Sequence, residues 1–246
     1  MKTYQSIIEK KNSGIKQFAV LIDPDKPTDR QLSEIALLSN DVGVDYFFVG
    51  GSLLTNNNLD NCISVLKSNS AIPVILFPGN TLQISSKADA ILFLSLISGR
   101  NPDLLIGNHV ISAPYIRESK LEAIPTGYML IESGKHTTAL YMSNTFPIPS
   151  DKEDIAACTA MAGEMLGLKL IYLDAGSGAL NPVSSKMIMN VAKSIKIPII
   201  TGGGIITPEK AIENCEAGAD IIVVGNGIEK SDSLIKEIGY AIKGFN

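Results

Sequence analysis

Asp174 stands at the end of a short apolar run, Leu170-Ile-Tyr-Leu173, and is followed at once by Ala175-Gly-Ser-Gly178. A buried strand that empties into small residues presents backbone N–H groups and one carboxylate at a pocket mouth. Such a loop accepts a phosphate because no side chain shields its donors. Thr201-Gly-Gly-Gly-Ile205 and Val223-Val-Gly-Asn-Gly227 repeat the pattern. Thr207-Pro208 follows the first, and the short Ile228–Lys230 turn the second. Both therefore aim N–H groups at one point, reinforced by the positive end of a helix. A single glycine cluster would read as a tight turn; two at successive strand ends favour a phosphate, which by itself names no reaction.

A second oxygen-bearing group lies in Leu21-Ile-Asp-Pro-Asp-Lys26 and in Val49-Gly-Gly-Ser52. In an extended segment Asp23 and Asp25 face the same way. A carboxylate with the Ser52 hydroxyl suits Mg²⁺, which takes few protein oxygens and keeps water and phosphate oxygens as its other ligands. Equally, Asp23 could cap its turn while Asp25 pairs with Lys26 in solvent. The two histidines, His109 and His136, are too few and too far apart for a histidine metal cage. His109 reads as structural and His136 as a solvated loop residue.

The elements that must position these residues are eight short β-rich runs. They are Phe18–Ile22, Tyr46–Val49, Val74–Phe77, Ala90–Leu94, Gly127–Ile131, Leu170–Leu173, Ile199–Thr201 and Ile221–Val224. Most are continuously apolar, as in parallel strands buried on both faces. Helical patterns lie between them. Thr28–Gln31 and Ser150–Glu153 fit capping boxes, and Asn101-Pro102, Asn181-Pro182 and Thr207-Pro208 each place a cap before a first-turn proline. Eight alternating strands and helices predict a single α/β domain over residues 1–246, a (β/α)8 TIM barrel; a doubly wound open sheet is the alternative. Local echoes support repeated units: Gly43-Val-Asp45 and Gly218-Ala-Asp220 each pair a helix stop with a strand start. The long stretch Ser133–Pro149 reads as a lid or substrate wall.

Composition excludes several classes. The 246 residues are 45% hydrophobic and 19% charged with net charge −4, which describes a folded domain without a nucleic-acid footprint. Cys62, Cys158 and Cys215 lie apart in apolar patterns and read as reduced core thiols of a cytoplasmic protein. The most apolar run, Ala90–Ile97, is too short to span a bilayer, although contact with a membrane surface stays open. Plentiful apolar helix faces make a homo-oligomer plausible.

Taken together, Leu21–Lys26, Val49–Ser52, Tyr172–Gly178, Thr201–Ile205 and Val224–Asn226 resemble the geranylgeranylglyceryl phosphate synthase family, which also holds bacterial heptaprenylglyceryl phosphate synthases. The resemblance covers nearly the whole chain, motifs in order. It implies a Mg²⁺-dependent prenyltransferase joining sn-glycerol-1-phosphate to a prenyl diphosphate through an ether bond. By motif, Asp23 and Ser52 would bind Mg²⁺. Tyr172, Leu173, Asp174, Ala175, Gly176, Ser177 and Gly178, with Gly203, Gly204, Gly225 and Asn226, would hold glycerol phosphate. Asp174 would be the base, and Tyr128 and Tyr172 would orient the hydroxyl or face the developing cation. Relatives commonly carry glutamate at Asp174, and the heptaprenyl branch carries lysine at Leu21. The Asp174–Ala179 stretch is closer to the branch associated with geranylgeranyl diphosphate. Phe77, Leu94, Tyr141 and Met142 are candidates to line an apolar trench. Other phosphate barrels, such as indole-glycerol-phosphate or ribulose-phosphate enzymes, or a non-catalytic phosphate sensor, are the alternatives.

Overall fold

In the computed structural model, which describes residues 2–225 and 233–246, eight parallel strands close into a barrel in sequence order. The strands are β1 Gln17–Ile22, β2 Tyr46–Val49, β3 Val74–Leu76, β4 Ala90–Leu96, β5 Glu122–Leu130, β6 Leu170–Asp174, β7 Ile199–Gly202 and β8 Ile221–Val224. Closure is made by β1 on β8, with Gln17 opposite Ile221 and Val20 opposite Val224. Six of the strands bury both faces almost throughout, and β4 and β5 do so in part, which explains the unbroken apolar runs. The open-sheet alternative is thereby excluded.

Period-two alternation divides the core. Ala19, Tyr46, Phe48, Ile75, Leu92, Tyr172, Ile200 and Val223 fill the barrel interior. Phe18, Val20, Phe47, Val49, Ile171, Leu173 and Ile222 face the outer helical layer. That layer comprises α2 Asp29–Val42, α3 Leu59–Asn69, α4 Asn108–Ser119, α6 Glu153–Met165, α7 Ser185–Ser194, α8 Pro208–Glu216 and α9 Ser233–Phe245, with the short α5 Thr138–Ser143 in the connection from β5 to α6. Helix α1, Thr3–Asn12, plugs the bottom of the barrel with Ile7. There Tyr46 donates its hydroxyl to Gln17 at 2.7 Å. The β3–β4 connection, residues 77–89, contains no helix.

Three aspartates clamp the bottom rim in one repeated way. Asp45, Asp89 and Asp220 each stand just before a strand, and each accepts a backbone N–H from the start of the preceding strand, the first residue of β3 and β7 and the second of β1. Phe18 donates at 2.7 Å, Val74 at 2.8 Å and Ile199 at 2.9 Å. Each also carries a lysine: Lys10, Lys67 and Lys11 respectively. The Gly-x-Asp echoes are the visible part of this device. Gly43 takes the left-handed conformation, φ 74°, that ends α2.

Helix starts follow the expectations in part. Thr28 forms a full capping box with Gln31, and Thr207 caps α8 ahead of Pro208. Two expectations are corrected. Helix α6 begins at Glu153 behind Lys152 with no side-chain cap, so Ser150 does not cap it. Asn181-Pro182 lies in the loop, and α7 starts three residues later on Ser184, which accepts from Met187 N–H at 3.2 Å. Strand β5 also begins five residues earlier than its apolar stretch, because Glu122 to Pro125 pair with β4 despite the proline. Cys62 and Cys215 are core thiols, whereas Cys158 is exposed on α6. Among the described residues no helix is long and apolar enough to cross a membrane.

Candidate active site

Strand register places the chemistry. Tyr128 on β5 lies opposite Tyr172 on β6, and Asp174 lies opposite Gly202 on β7. A side chain at position 202 is excluded because its Cβ would fall 2.5 Å from the Tyr172 hydroxyl. The Tyr128 hydroxyl donates to Asp174 Oδ2 at 2.5 Å, and Gly176 N–H donates to Oδ1 at 2.7 Å. Asp174 is 7% exposed. Burial pushes its pKa above the ordinary carboxylate value, partly offset by those two hydrogen bonds. Burial also holds both phenols well above 10, and the nearby Asp174 charge adds to the effect. Phe77 stacks on Tyr172 at 5.2 Å and meets Tyr128 edge-on at 5.7 Å. Three aromatic rings thus wall the space beneath the carboxylate.

The glycine-rich loops converge above it. Gly203 and Gly204 adopt φ 85° and 71°. A Cβ on Gly203 would sit 2.7 Å from Gly176 N, so the β6 and β7 loops touch backbone to backbone. Ser177, Gly178, Gly203, Gly204 and Gly225 line the main cavity. Tyr172 and Asp174 line it too, while Leu173 points into the outer core and Ala175 and Gly176 stand behind its wall. Any ligand contact by Leu173 is therefore through its backbone. Asn226, Gly227 and the Ile228–Lys230 turn lie outside the described residues.

Asp23 and Ser52, from the ends of β1 and β2, line the same cavity. The expectation that Asp23 and Asp25 face one way fails, because residues 23–26 form a turn rather than extended chain. Asp25 N–H donates to Asp23 Oδ1 at 3.1 Å, and Lys26 Nζ sits 3.5 Å from Oδ2. Asp25 turns away and accepts from Asn56 N–H at 3.1 Å, pinning the β2–α3 loop. Gln83, which the sequence reading missed, holds the site from beneath. Its Oε1 accepts from Gly51 and Gly79 N–H at 3.3 and 3.2 Å, and its Nε2 donates to the Gly51 carbonyl at 2.7 Å. A lone glutamine 32 residues from its partner leaves no local sequence signal.

From this polar floor the cavity, about 1120 Å³, extends as an apolar arm past Leu94, Phe93, Ile84 and Leu104 towards His109, Ser112 and Ile116 of α4. Phe77 and Met142 line it as expected, but Tyr141 is exposed and borders a second cavity of about 880 Å³ under the β5–α6 connection. His109 lies within hydrogen-bond distance of Ser95 Oγ, 3.0 Å from Nε2, and packs edge-on to Phe93 at 4.4 Å. Burial lowers its pKa, which keeps the ring neutral in the arm. A π-turn, Asp103–Gly107, feeds α4 at this wall. Such turns gather at functional sites.

One cavity thus joins a glycine-lined end, a buried carboxylate–phenol pair and an apolar arm at the C-terminal ends of parallel strands. That combination defines a (β/α)8-barrel enzyme for ligands with a polar head and an apolar body. The model of the PcrB family matches residues 6–242, and the chain belongs to that family. It is 58% identical over 241 residues to a geranylgeranylglyceryl phosphate synthase of Chitinophaga pinensis, covering 98% of this chain and 96% of that protein. A protein of the same name from Spirosoma linguale is 56% identical, with 96% and 95% covered. Among solved structures, (S)-3-O-geranylgeranylglyceryl phosphate synthase of Thermoplasma acidophilum, in complex with sn-glycerol-1-phosphate, superposes with a TM-score of 0.93. It is 34% identical and 99% of both chains is covered.

Proposed function

We propose that this chain is a prenyltransferase. It joins the C3 hydroxyl of sn-glycerol-1-phosphate to C1 of a prenyl diphosphate through an ether bond, releasing diphosphate, with geranylgeranyl diphosphate as donor. The observation that carries the reading is the continuity of the cavity from Gly203 and Gly204, past Asp174, into the apolar arm. Its volume exceeds the roughly 300–1,000 Å³ of a single small-ligand site, which leaves room for two substrates side by side. Relatives named for this reaction and a relative complexed with sn-glycerol-1-phosphate support the same acceptor.

In this reading the backbone of residues 172–178, with Gly203, Gly204, Gly225 and Asn226, holds the phosphate and brings the C3 hydroxyl to the reacting carbon. Asp174 is the final acceptor of the hydroxyl proton, burial having raised its pKa above the ordinary carboxylate value. The rings of Tyr128, Tyr172 and Phe77 face the carbon that gains positive character. The apolar arm excludes water from the prenyl chain. Asp23 and Ser52 are the residues we assign to Mg²⁺. One carboxylate and one hydroxyl open to a cavity fit its preference for few protein oxygens, the rest coming from water and phosphate. Bound there, Mg²⁺ would neutralise charge on the departing diphosphate.

The reading extends to a cytoplasmic homo-oligomer that touches membranes transiently. The outer face of α4 and its entry, with Ile106, Val110, Ile111 and Tyr115 exposed, supports a second copy as partner. Sedimentation of a Val110→Asp variant as a smaller species than the parent is the expected result.

The deciding assay offers sn-glycerol-1-phosphate with C15, C20, C25 and C35 diphosphates, with and without Mg²⁺. The C20 ether is the expected product, formed only with metal. A C35 preference would move the chain to the heptaprenyl branch. Absence of any ether would leave a phosphate barrel of another kind. Activity insensitive to EDTA and to Asp23→Ala would remove the metal assignment.

A further inference from the structure

We propose that Tyr128, rather than Asp174, takes the proton from the attacking hydroxyl and in the same step passes its own proton to Asp174. The proposal rests on the prenyl-transfer reading above and deepens it. Asp174 reaches the cavity wall, but both its oxygens are already engaged: Oδ1 accepts from Gly176 N–H and Oδ2 from the Tyr128 hydroxyl. The aspartate side chain is short and tied to its own loop, so it does not swing out to meet a ligand. Tyr128 is the half-buried member of the pair and lines the cavity. Its hydroxyl hydrogen is already donated to Asp174, so Oη offers the cavity only lone pairs. A hydroxyl arriving there finds an acceptor, not a donor. The ring is held edge-on by Tyr172 at 5.6 Å and by Phe77 at 5.7 Å, which fixes where Oη points.

The step balances. The glycerol O–H bond breaks as the new O–C1 bond forms, and the C1–O bond to diphosphate breaks with its electron pair leaving on diphosphate. The glycerol proton goes to Tyr128 Oη, and the Tyr128 proton goes to Asp174 Oδ2. Tyr128 ends neutral, Asp174 ends protonated, and no free phenolate forms. That suits a phenol whose ionisation burial opposes, next to a carboxyl whose protonation burial favours.

The test is a double-mutant cycle on single-turnover rates: parent, Tyr128→Phe, Asp174→Glu and the double variant. Turnover by the parent tests the prenyl-transfer reading; the ratios test the relay. Tyr128→Phe should slow the parent at least ~10²-fold, the scale of one general acid–base contribution. With glutamate at 174 the extra methylene carries the carboxylate to the hydroxyl, and the same change should cost less than about tenfold. Equal losses in both backgrounds, or a parent indifferent to Tyr128→Phe, overturn the relay. Should either variant at 174 fail to fold, rates in H₂O/D₂O mixtures decide. The parent should show a curved dependence, with two protons in flight, that becomes linear in Tyr128→Phe. A linear parent overturns the proposal.

Discussion

Asp174 is ionisable, buried and hydrogen-bonded from two sides, and burial dominates. The folded chain therefore holds this proton more tightly than the unfolded chain does. Its contribution to stability is complete at low pH and is lost as pH rises through the raised folded value. Above that value the ionised carboxylate costs stability, which the site tolerates for chemistry. Asp174→Asn should consequently melt at the same temperature or higher at pH 7, while kcat drops at least ~10²-fold. Calorimetry and turnover measured together check this; a lower melting point with normal kcat would refute it. The acid limb of the parent's kcat/KM profile should fall above the ordinary aspartate value of about 3.9.

At the scale of elements, the barrel separates stability at its bottom from chemistry at its top. Asp220 accepts from Ile199 N–H and pairs with Lys11 at 2.8 Å. Asp220→Ala leaves that buried N–H unsatisfied and should cost about 1–3 kcal/mol in denaturant unfolding. Turnover of the folded fraction should be unchanged, since the clamp lies at the opposite end from Asp174. Gln83 works at the top, where a missing helix leaves the β2 and β3 loops to be joined by one side chain. Gln83→Ala should raise the Mg²⁺ concentration for half-maximal activity several-fold, with little effect on the KM for glycerol phosphate. A uniform loss of activity at saturating Mg²⁺ would count against Gln83 as the support of Ser52.

Across the whole molecule, exposed apolar side chains crowd the face that carries the cavity mouth. Leu53, Leu82, Leu180, Ile206 and Phe146 come from the loops after β2, β3, β6, β7 and β5, with Leu82 88% and Phe146 91% exposed. Under the prenyl-transfer reading a long-chain donor would reach that mouth from a bilayer, and an apolar rim would contact the interface in the way amphipathic surfaces do. The triple variant Leu82→Ser, Leu180→Ser, Phe146→Ser should lose co-sedimentation with phosphatidylglycerol vesicles. Turnover of a short, soluble prenyl diphosphate should stay within about twofold. Unchanged vesicle binding would remove the membrane from this face.

Much of this was legible in the chain, for a physical reason. Strands buried on both faces must be continuously apolar, and backbone that approaches backbone must be glycine, so the barrel and the loops after β6 and β7 stand written in local sequence. The Gly-x-Asp echoes show as sequence because each aspartate acts on the strand next to its own. Tertiary structure alone decided what depends on a partner distant in sequence or on the path of a turn. It sent Asp25 to the β2–α3 loop and Asp23 to the cavity. It set Gln83 under Gly51 and brought Phe93 and His109 into the apolar arm. It also joined Tyr128 to Asp174, 46 residues on, through barrel register. Hydrogen bonds and cavities form between residues that folding makes neighbours, and no local pattern records which they will be.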